Sequence, residues 1–203
     1  GSQSDPLSNM SKGGVKMVSW SDCWLDNQLI VEAGTIDVSL ALTVVSGGSG
    51  VGKTTLLRAI SRQNSNLRPR LVFQEPTLLP WLTVTENLSV VCKDIESQKR
   101  WLSLFDLSEV GQLRPGQLSL GMQRRIAIVR GILARPGLLL LDEPSASLDP
   151  ANVERLISNI KAAIGEESVP TIIVTHSPRD FEALRPLYFE LTGRPAVLNQ
   201  SKT

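Results

Sequence analysis

Histidine, cysteine and surplus charge are all scarce in this sequence. One histidine, His176, and two cysteines, Cys23 and Cys92, occur in 203 residues. The cysteines stand far apart and have neither metal-binding nor redox spacing, so a reduced cytosolic chain is expected. Lys and Arg number 21 against 20 Asp and Glu, a net charge of +1. A dedicated duplex-DNA binder carries a basic surplus, so no nucleic-acid partner is expected. Long apolar runs are missing too. The longest nearly uncharged stretch, Ala33 to Lys53, is broken by Asp37 and rich in Gly and Ser, which does not make a membrane span. Gly1 to Asp5 lacks the basic and apolar regions of a signal peptide, and Gly1-Ser2 reads as a tag remnant. The 15 Gly and 12 Pro follow no period, which excludes collagen-like and low-complexity classes.

What remains is an ordinary globular composition, 41% hydrophobic and 20% charged. That apolar fraction excludes disorder. The length suits one large domain or two small ones. The first dozen residues read as a frayed lead-in. Strand-like pieces follow at Val15–Ser19, Leu29–Glu32 and Asp37–Leu40. Leu42–Ser46, Arg70–Phe73, Leu138–Leu141, Thr171–Thr175 and Leu187–Leu191 read as further strands, the last of these closing the fold. Helices are predicted at Thr54–Arg62, in pieces over 83–110, at Leu118–Arg135, at Pro150–Ile164 and, briefly, at Pro178–Leu184. Ile126, Val129, Ile132 and Leu133 recur on one helical face. Leu138 to Leu141 is an unbroken apolar run, the mark of a strand buried on both faces of a parallel sheet. Alternating strands and helices predict an α/β fold with a mainly parallel sheet. Ligands in such sheets bind at the carboxyl ends of strands. Gly47, Gln74, Asp142 and His176 all fall at such ends.

The chemistry is concentrated there. Gly47-Gly48-Ser49-Gly50-Val51-Gly52-Lys53-Thr54 fits G-x-x-x-x-G-K-[ST] between a predicted strand and a predicted helix. Its glycines let backbone N–H groups turn toward phosphate oxygens, and the helix N-terminus adds partial positive charge. Lys53 is expected to reach the β- and γ-phosphates, and the Thr54 hydroxyl to ligate Mg²⁺. Asp142 and Glu143 end a buried strand. Asp142 suits a Mg²⁺-bound water, and Glu143 suits a general base for an attacking water.

Leu118-Ser119-Leu120-Gly121-Met122, 23 positions before Asp142 counted from Ser119, resembles the LSGGQ signature of ABC transporter ATP-binding subunits. Ser119 and Gly121 match, while Leu120 replaces a Gly and Met122 replaces the Gln. The resemblance runs from about Val15 to Leu191 and implies a P-loop NTPase core with a mainly parallel sheet, a reduced antiparallel β-subdomain and a small helical subdomain. The implied layout is a flexible lead-in over 1–14 and one ATPase domain over 15–203, its helical subdomain at about 80–135. The segment Gly47 to Thr54, with Thr55 after it, is the implied nucleotide cradle. Ser119 and Gly121 would close over ATP bound to a second subunit. Gln74 matches the Q-loop position, a neutral ligand for Mg²⁺ that also positions water. Ser147-Leu148-Asp149 resembles the D-loop, and His176 the switch histidine that senses the γ-phosphate. Trp24 is the expected adenine-stacking residue, with Trp20 as the alternative.

The run Leu79-Pro80-Trp81-Leu82-Thr83-Val84 resembles importers of the nitrate, sulfonate, taurine and bicarbonate group. Its apolar residues, with Leu78, are the expected docking surface for a membrane permease. The resemblance thus implies ATP and Mg²⁺ as ligands and a dimer of ATP-binding subunits, a homodimer being expected. Its further partners would be the permease and a solute-binding protein, with the chain at the cytoplasmic face of the membrane. The rival readings are a nucleotide-binding module with little or no hydrolysis and a soluble, non-transport ABC ATPase. The latter needs a long coiled-coil insertion before the signature, and Ser119 follows Lys53 by only 66 positions.

Overall fold

The computed structural model describes residues 16–39 and 42–201, so the expected lead-in lies outside the described residues. Chain order begins with four short strands, β1 (Met17–Trp20), β2 (Cys23–Leu25), β3 (Gln28–Val31) and β4 (Gly34–Asp37). β1 pairs antiparallel with β4, and β2 with β3. β5 (Leu42–Ser46) then leads into α1 (Lys53–Gln63), and β6 (Pro69–Val72) follows. Next come α2 (Val84–Ser89), α3 (Ile95–Leu104), α4 (Leu120–Leu133), β7 (Leu138–Asp142), α5 (Pro150–Glu166) and β8 (Thr171–Thr175). A 3₁₀ helix at Pro178–Leu184 precedes β9 (Leu187–Thr192) and β10 (Val197–Gln200). The main sheet has the order β10-β9-β5-β8-β7-β6, parallel throughout except for β10.

The apolar run of β7 has the predicted cause. Leu139 and Leu141 face a core layer shared with α4, α5 and the α2–α3 region. Leu138 and Leu140 face a second layer shared with α1 and the small antiparallel strands. Successive side chains of a strand point to opposite faces, so a strand covered on both sides must be apolar at every position. Each fully buried leucine contributes about 1.5–3 kcal/mol relative to an exposed one.

Several boundaries differ from the sequence reading by one to three residues, and β2 and β10 lay outside it. The strand expected at Asp37–Leu40 is β4, which starts at Gly34; that residue is paired with Trp20, and a Cβ on it would lie 2.4 Å from the Trp20 ring. Leu40 itself lies outside the described residues. Helix α4 begins at Leu120, not Leu118: Ser119 is its N-cap, accepting from the Met122 amide at 3.2 Å. It ends at Leu133, since Arg135 turns left-handed (φ 51°) and Pro136 cannot extend a helix. Finally, β9 does not close the fold. β10 returns antiparallel to it after Gly193 (φ 95°), and with one half-buried apolar residue, Leu198, it has little hydrophobic pattern to read. The Gly193-Arg194-Pro195 turn was the available signal.

Candidate functional site

Three neighbouring parallel strands, β5, β8 and β7, deliver the candidate residues to one end of the sheet. β5 runs into Gly47–Gly52, and α1 starts at Lys53. Gly50 (φ 74°) and Gly52 (φ 114°) are left-handed, a conformation glycine adopts without cost. At Gly52 a Cβ would also meet Val31 at 2.9 Å and Ile30 at 3.1 Å. α1 has no side-chain N-cap and no acidic residue in its first turn. Its first amides therefore keep their donors for an anion, and the free space around Gly48 and Gly50 leaves the approach open. These features fit a phosphate group.

Lys53 is buried and held by its surroundings. Its Nζ donates to the carbonyls of Gly47 at 2.7 Å and Gly48 at 2.8 Å, and lies 3.5 Å from Glu143 Oε1. The Thr54 hydroxyl donates to Asp142 Oδ2 at 2.9 Å. Asp142 Oδ1 is buried without a hydrogen-bond partner. Burial pushes the Asp142 carboxyl above the ordinary carboxylate range, only partly opposed by the Thr54 hydrogen bond. A buried oxygen with a spare lone pair beside a hydroxyl is the donor set of a hard divalent cation. The residues present therefore fit Mg²⁺. Gln74, two positions past β6, is exposed and makes no hydrogen bond to Thr54, Asp142 or Glu143 among the described residues.

Glu143 is the centre of the arrangement. It stands in the left-handed region (φ 46°), a backbone state costing about 1–3 kcal/mol for a non-glycine residue. The strain is offset by two contacts from the end of β8. His176 Nδ1 lies 2.8 Å from Glu143 Oε2, and the His176 amide donates to the same oxygen at 3.2 Å. With Glu143 ionised, Nδ1 must carry a proton to make this contact, and in the neutral imidazole Nε2 is then the acceptor. Half of the His176 side chain is exposed, while Glu143 is buried. One carboxylate thus faces Lys53 with one oxygen and His176 with the other.

The remaining candidates lie elsewhere. No hydrogen bond joins Ser119 or Gly121 to the Gly47–Thr55 segment among the described residues. Gly121 is needed within its own chain, because a Cβ there would lie 2.8 Å from Asn152 Oδ1. Leu120 is exposed, whereas Met122 is half-buried against the core. Asp149 caps α5 by accepting from the Asn152 amide at 2.9 Å. The two tryptophans part company. Trp20 is 4% exposed and its Nε1 donates to the Glu32 carbonyl at 2.8 Å, so it is a core residue. Trp24, on β2, is 61% exposed. Trp24→Ala is expected to weaken nucleotide binding roughly fivefold, from about 1 kcal/mol of lost stacking, with little change in melting temperature. Trp20→Ala should instead lower the melting temperature, by about 3–5 kcal/mol of core loss. Nucleotide titration and a thermal melt of both variants separate the two roles.

Sequence reading missed several residues that shape this region. Asn87, fully buried, accepts from the Leu79 amide and donates to the carbonyls of Leu79, Leu82 and Thr83, organising the loop that displays Trp81. Trp81 is 65% exposed. Leu78 and Leu79 are half-buried, and Leu78 packs against the core, so only part of the expected apolar surface is free. Arg124 is 5% exposed and donates to the Ala146 carbonyl. Ser145 donates to Asp180 at 2.7 Å. A polar residue inside an otherwise apolar helix face was the one available signal for Arg124.

The model of the ABC transporter family matches residues 39–146, a little over half of the chain. The aliphatic sulfonates import ATP-binding protein SsuB 1 of Pseudomonas syringae pv. syringae (strain B728a) is 32% identical over 180 residues, covering 80% of this chain and 75% of its own length. The bicarbonate transport ATP-binding protein CmpC of Synechococcus elongatus is 33% identical over 175 residues, 73% of this chain and 26% of CmpC. The nitrate import ATP-binding protein NrtC of Synechocystis is 35% identical over 175 residues, again 73% of this chain and 26% of the relative.

Proposed function

Because this chain belongs to the ABC transporter family, and is its ATP-binding, ATP-hydrolysing subunit, we propose that it works as a homodimer on a membrane permease, with Mg²⁺ at each site. The observation that supports the site is Glu143, just past β7, held between Lys53 at the start of α1 and His176 just past β8. In this reading residues 15–203 act as one ATPase domain, with its helical subdomain at about 80–135. The Gly47–Thr55 segment cradles the phosphates, and Lys53 leaves the carbonyls of Gly47 and Gly48 to neutralise them. Thr54, Asp142 and Gln74 hold the metal, which when bound polarises the phosphoryl oxygens. Glu143 takes the proton of the attacking water, and His176 keeps the carboxylate turned toward it. Ser119 and Gly121 act on the nucleotide of the second subunit, and Trp24 stacks on adenine.

The solute is proposed to be a small oxyanion, delivered by a solute-binding protein, since the relatives above are named for sulfonates import, bicarbonate transport and nitrate import. No helix among the described residues is long and apolar enough to cross a membrane. In this reading the chain meets the membrane by docking on the permease at the cytoplasmic face. The exposed Trp81 is the proposed anchor. Trp81→Ala should spare basal ATP hydrolysis and weaken co-purification with the permease by at least about tenfold, the loss expected of a central aromatic anchor. Undiminished co-purification would place the docking surface elsewhere. Hydrolysis strictly proportional to protein concentration, at concentrations where the protein has a monomeric mass, would argue against a dimer.

A further inference from the structure

The segment Glu143–Asp149 carries two left-handed non-glycine residues, Glu143 (φ 46°) and Ser147 (φ 60°). Its own hydrogen bonds are two turn contacts, Ala146 N to the Glu143 carbonyl and Leu148 N to the Ser145 carbonyl, each 3.2 Å. So little internal bonding cannot hold two strained residues in place, and the restraint comes from outside. On one flank His176 holds Glu143, and Asp180 holds Ser145. On the other flank stands α4. Gly121 and Arg124, one turn apart, lie on the same side of that helix. Gly121 abuts Asn152, whose amide and side chain are bound to Asp149 at 2.9 and 2.7 Å. Arg124 spans to the Ala146 carbonyl at the middle of the turn. Its guanidinium makes no ion pair among the described residues, although it is buried, and its Nε has no hydrogen-bond partner. A buried charge spent on one backbone carbonyl is costly unless that carbonyl must be held. The anions near it are Glu75 and Glu143, which oppose the downward pull of burial on its pKa.

We propose that Arg124 is a positioning residue: it locks the Glu143–Asp149 turn to helix α4, so that Glu143 and the Ser119 end of that helix keep one fixed relation. The functional part of this proposal rests on the reading of Glu143 as the base. The link itself does not, because the contact ties the turn to α4 whatever Glu143 does.

The test compares R124M and R124K in the full chain by three measurements: ATP turnover, nucleotide affinity, and amide hydrogen exchange read residue by residue. R124M fills similar space without a donor. It is expected to leave nucleotide affinity unchanged, since Arg124 does not touch the Gly47–Thr55 segment. Turnover should fall at least about tenfold, as misplacement of a reacting group by a fraction of an ångström does. The amides of Ala146 and Leu148 should exchange at least about tenfold faster, while those in the middle of α4 and in β7 stay protected. R124K retains one donor for the single carbonyl and should recover most of both, because no bidentate contact is at stake here. Unchanged exchange at Ala146 and Leu148 in R124M overturns the link. Uniformly faster exchange with equal loss of binding and turnover also overturns it, showing Arg124 to be a general stability residue. Should R124M fail to fold, R124L, which also lacks a donor, replaces it, and the same localised exchange is required of it. Repeating the exchange measurement in a Glu143→Gln background separates the two ideas. If Glu143→Gln hydrolyses ATP normally, the base reading fails, and the exchange of Ala146 and Leu148 still decides the link.

Discussion

Glu143→Gln should stop turnover while leaving nucleotide binding intact. The amide has the shape of the carboxylate, and one oxygen suffices for the His176 amide and Nδ1–H that both reach Glu143 Oε2. The amide nitrogen then replaces the oxygen that lies 3.5 Å from Lys53. It cannot accept a proton from water, so the general-base contribution is lost, roughly 10²–10⁴ in rate. Lys53 also loses an attractive partner, which frees it for phosphate. Binding should therefore hold or tighten, and the variant should accumulate as an ATP-bound dimer. Phosphate release, titration with a fluorescent ATP analogue and size exclusion measure the three quantities. Near-normal phosphate release would remove Glu143 from the role of base. His176→Ala is a weaker perturbation in the same direction, because the backbone amide of residue 176, just past β8, still holds Oε2.

Lys53→Ala should abolish useful nucleotide affinity. Lys53 is buried, its Nζ is surrounded by the Gly47 and Gly48 carbonyls and Glu143, and no other lysine belongs to the Gly47–Thr55 segment. A charge-assisted contact to phosphate is worth about 1.5–3 kcal/mol, so affinity should fall at least ten- to a hundredfold. A second effect adds to this. Without the ammonium group, the bound phosphates face the buried carboxylates of Asp142 and Glu143 with less compensation. The stabilisation that a fixed ATP concentration gives against thermal unfolding should shrink in step with the lost affinity. Equal titration curves for wild type and variant would show that the loop amides and the α1 N-terminus alone carry the phosphates. The two variants form a pair: one separates chemistry from binding, and the other removes binding itself.

The site was more legible in the sequence than its contacts were. Gly47 to Thr54, Asp142 and Glu143 announce themselves because each motif is local, and its residue types are demanded by the ligand's charge. His176 is legible because it ends an apolar strand. The sequence reading preferred Trp24 to Trp20 by its position in the chain, and no local pattern tells which of the two rings is buried. Their difference comes from Gly34, which opens a place for the Trp20 ring on a strand 14 positions later. Gly121 read as a residue open to phosphate, and its own-chain partner is Asn152 on another helix. Arg124 read as one more residue of a helical run.

By itself the sequence determined the buried central strands and the chemistry at their ends. Leu42–Ser46 and Thr171–Thr175 came out to the residue, because a strand buried on both faces must be continuously apolar or β-branched, and that pattern is local. It also determined the phosphate loop, where backbone conformation requires glycine at defined positions. Only the tertiary structure decided which strands are neighbours, so that β7 and β8 place Glu143 against His176, and the loop that leads from β5 into α1 places Lys53 beside Glu143. It alone decided the left-handed turn at Glu143, the burial of Arg124 and the antiparallel return of β10. The physical reason is the range of the forces. Periodicity records which face of an element is apolar, and motif spacing records what a ligand requires. A contact between residues far apart in the chain depends on which elements cover those faces, and no local stretch of sequence encodes that pairing.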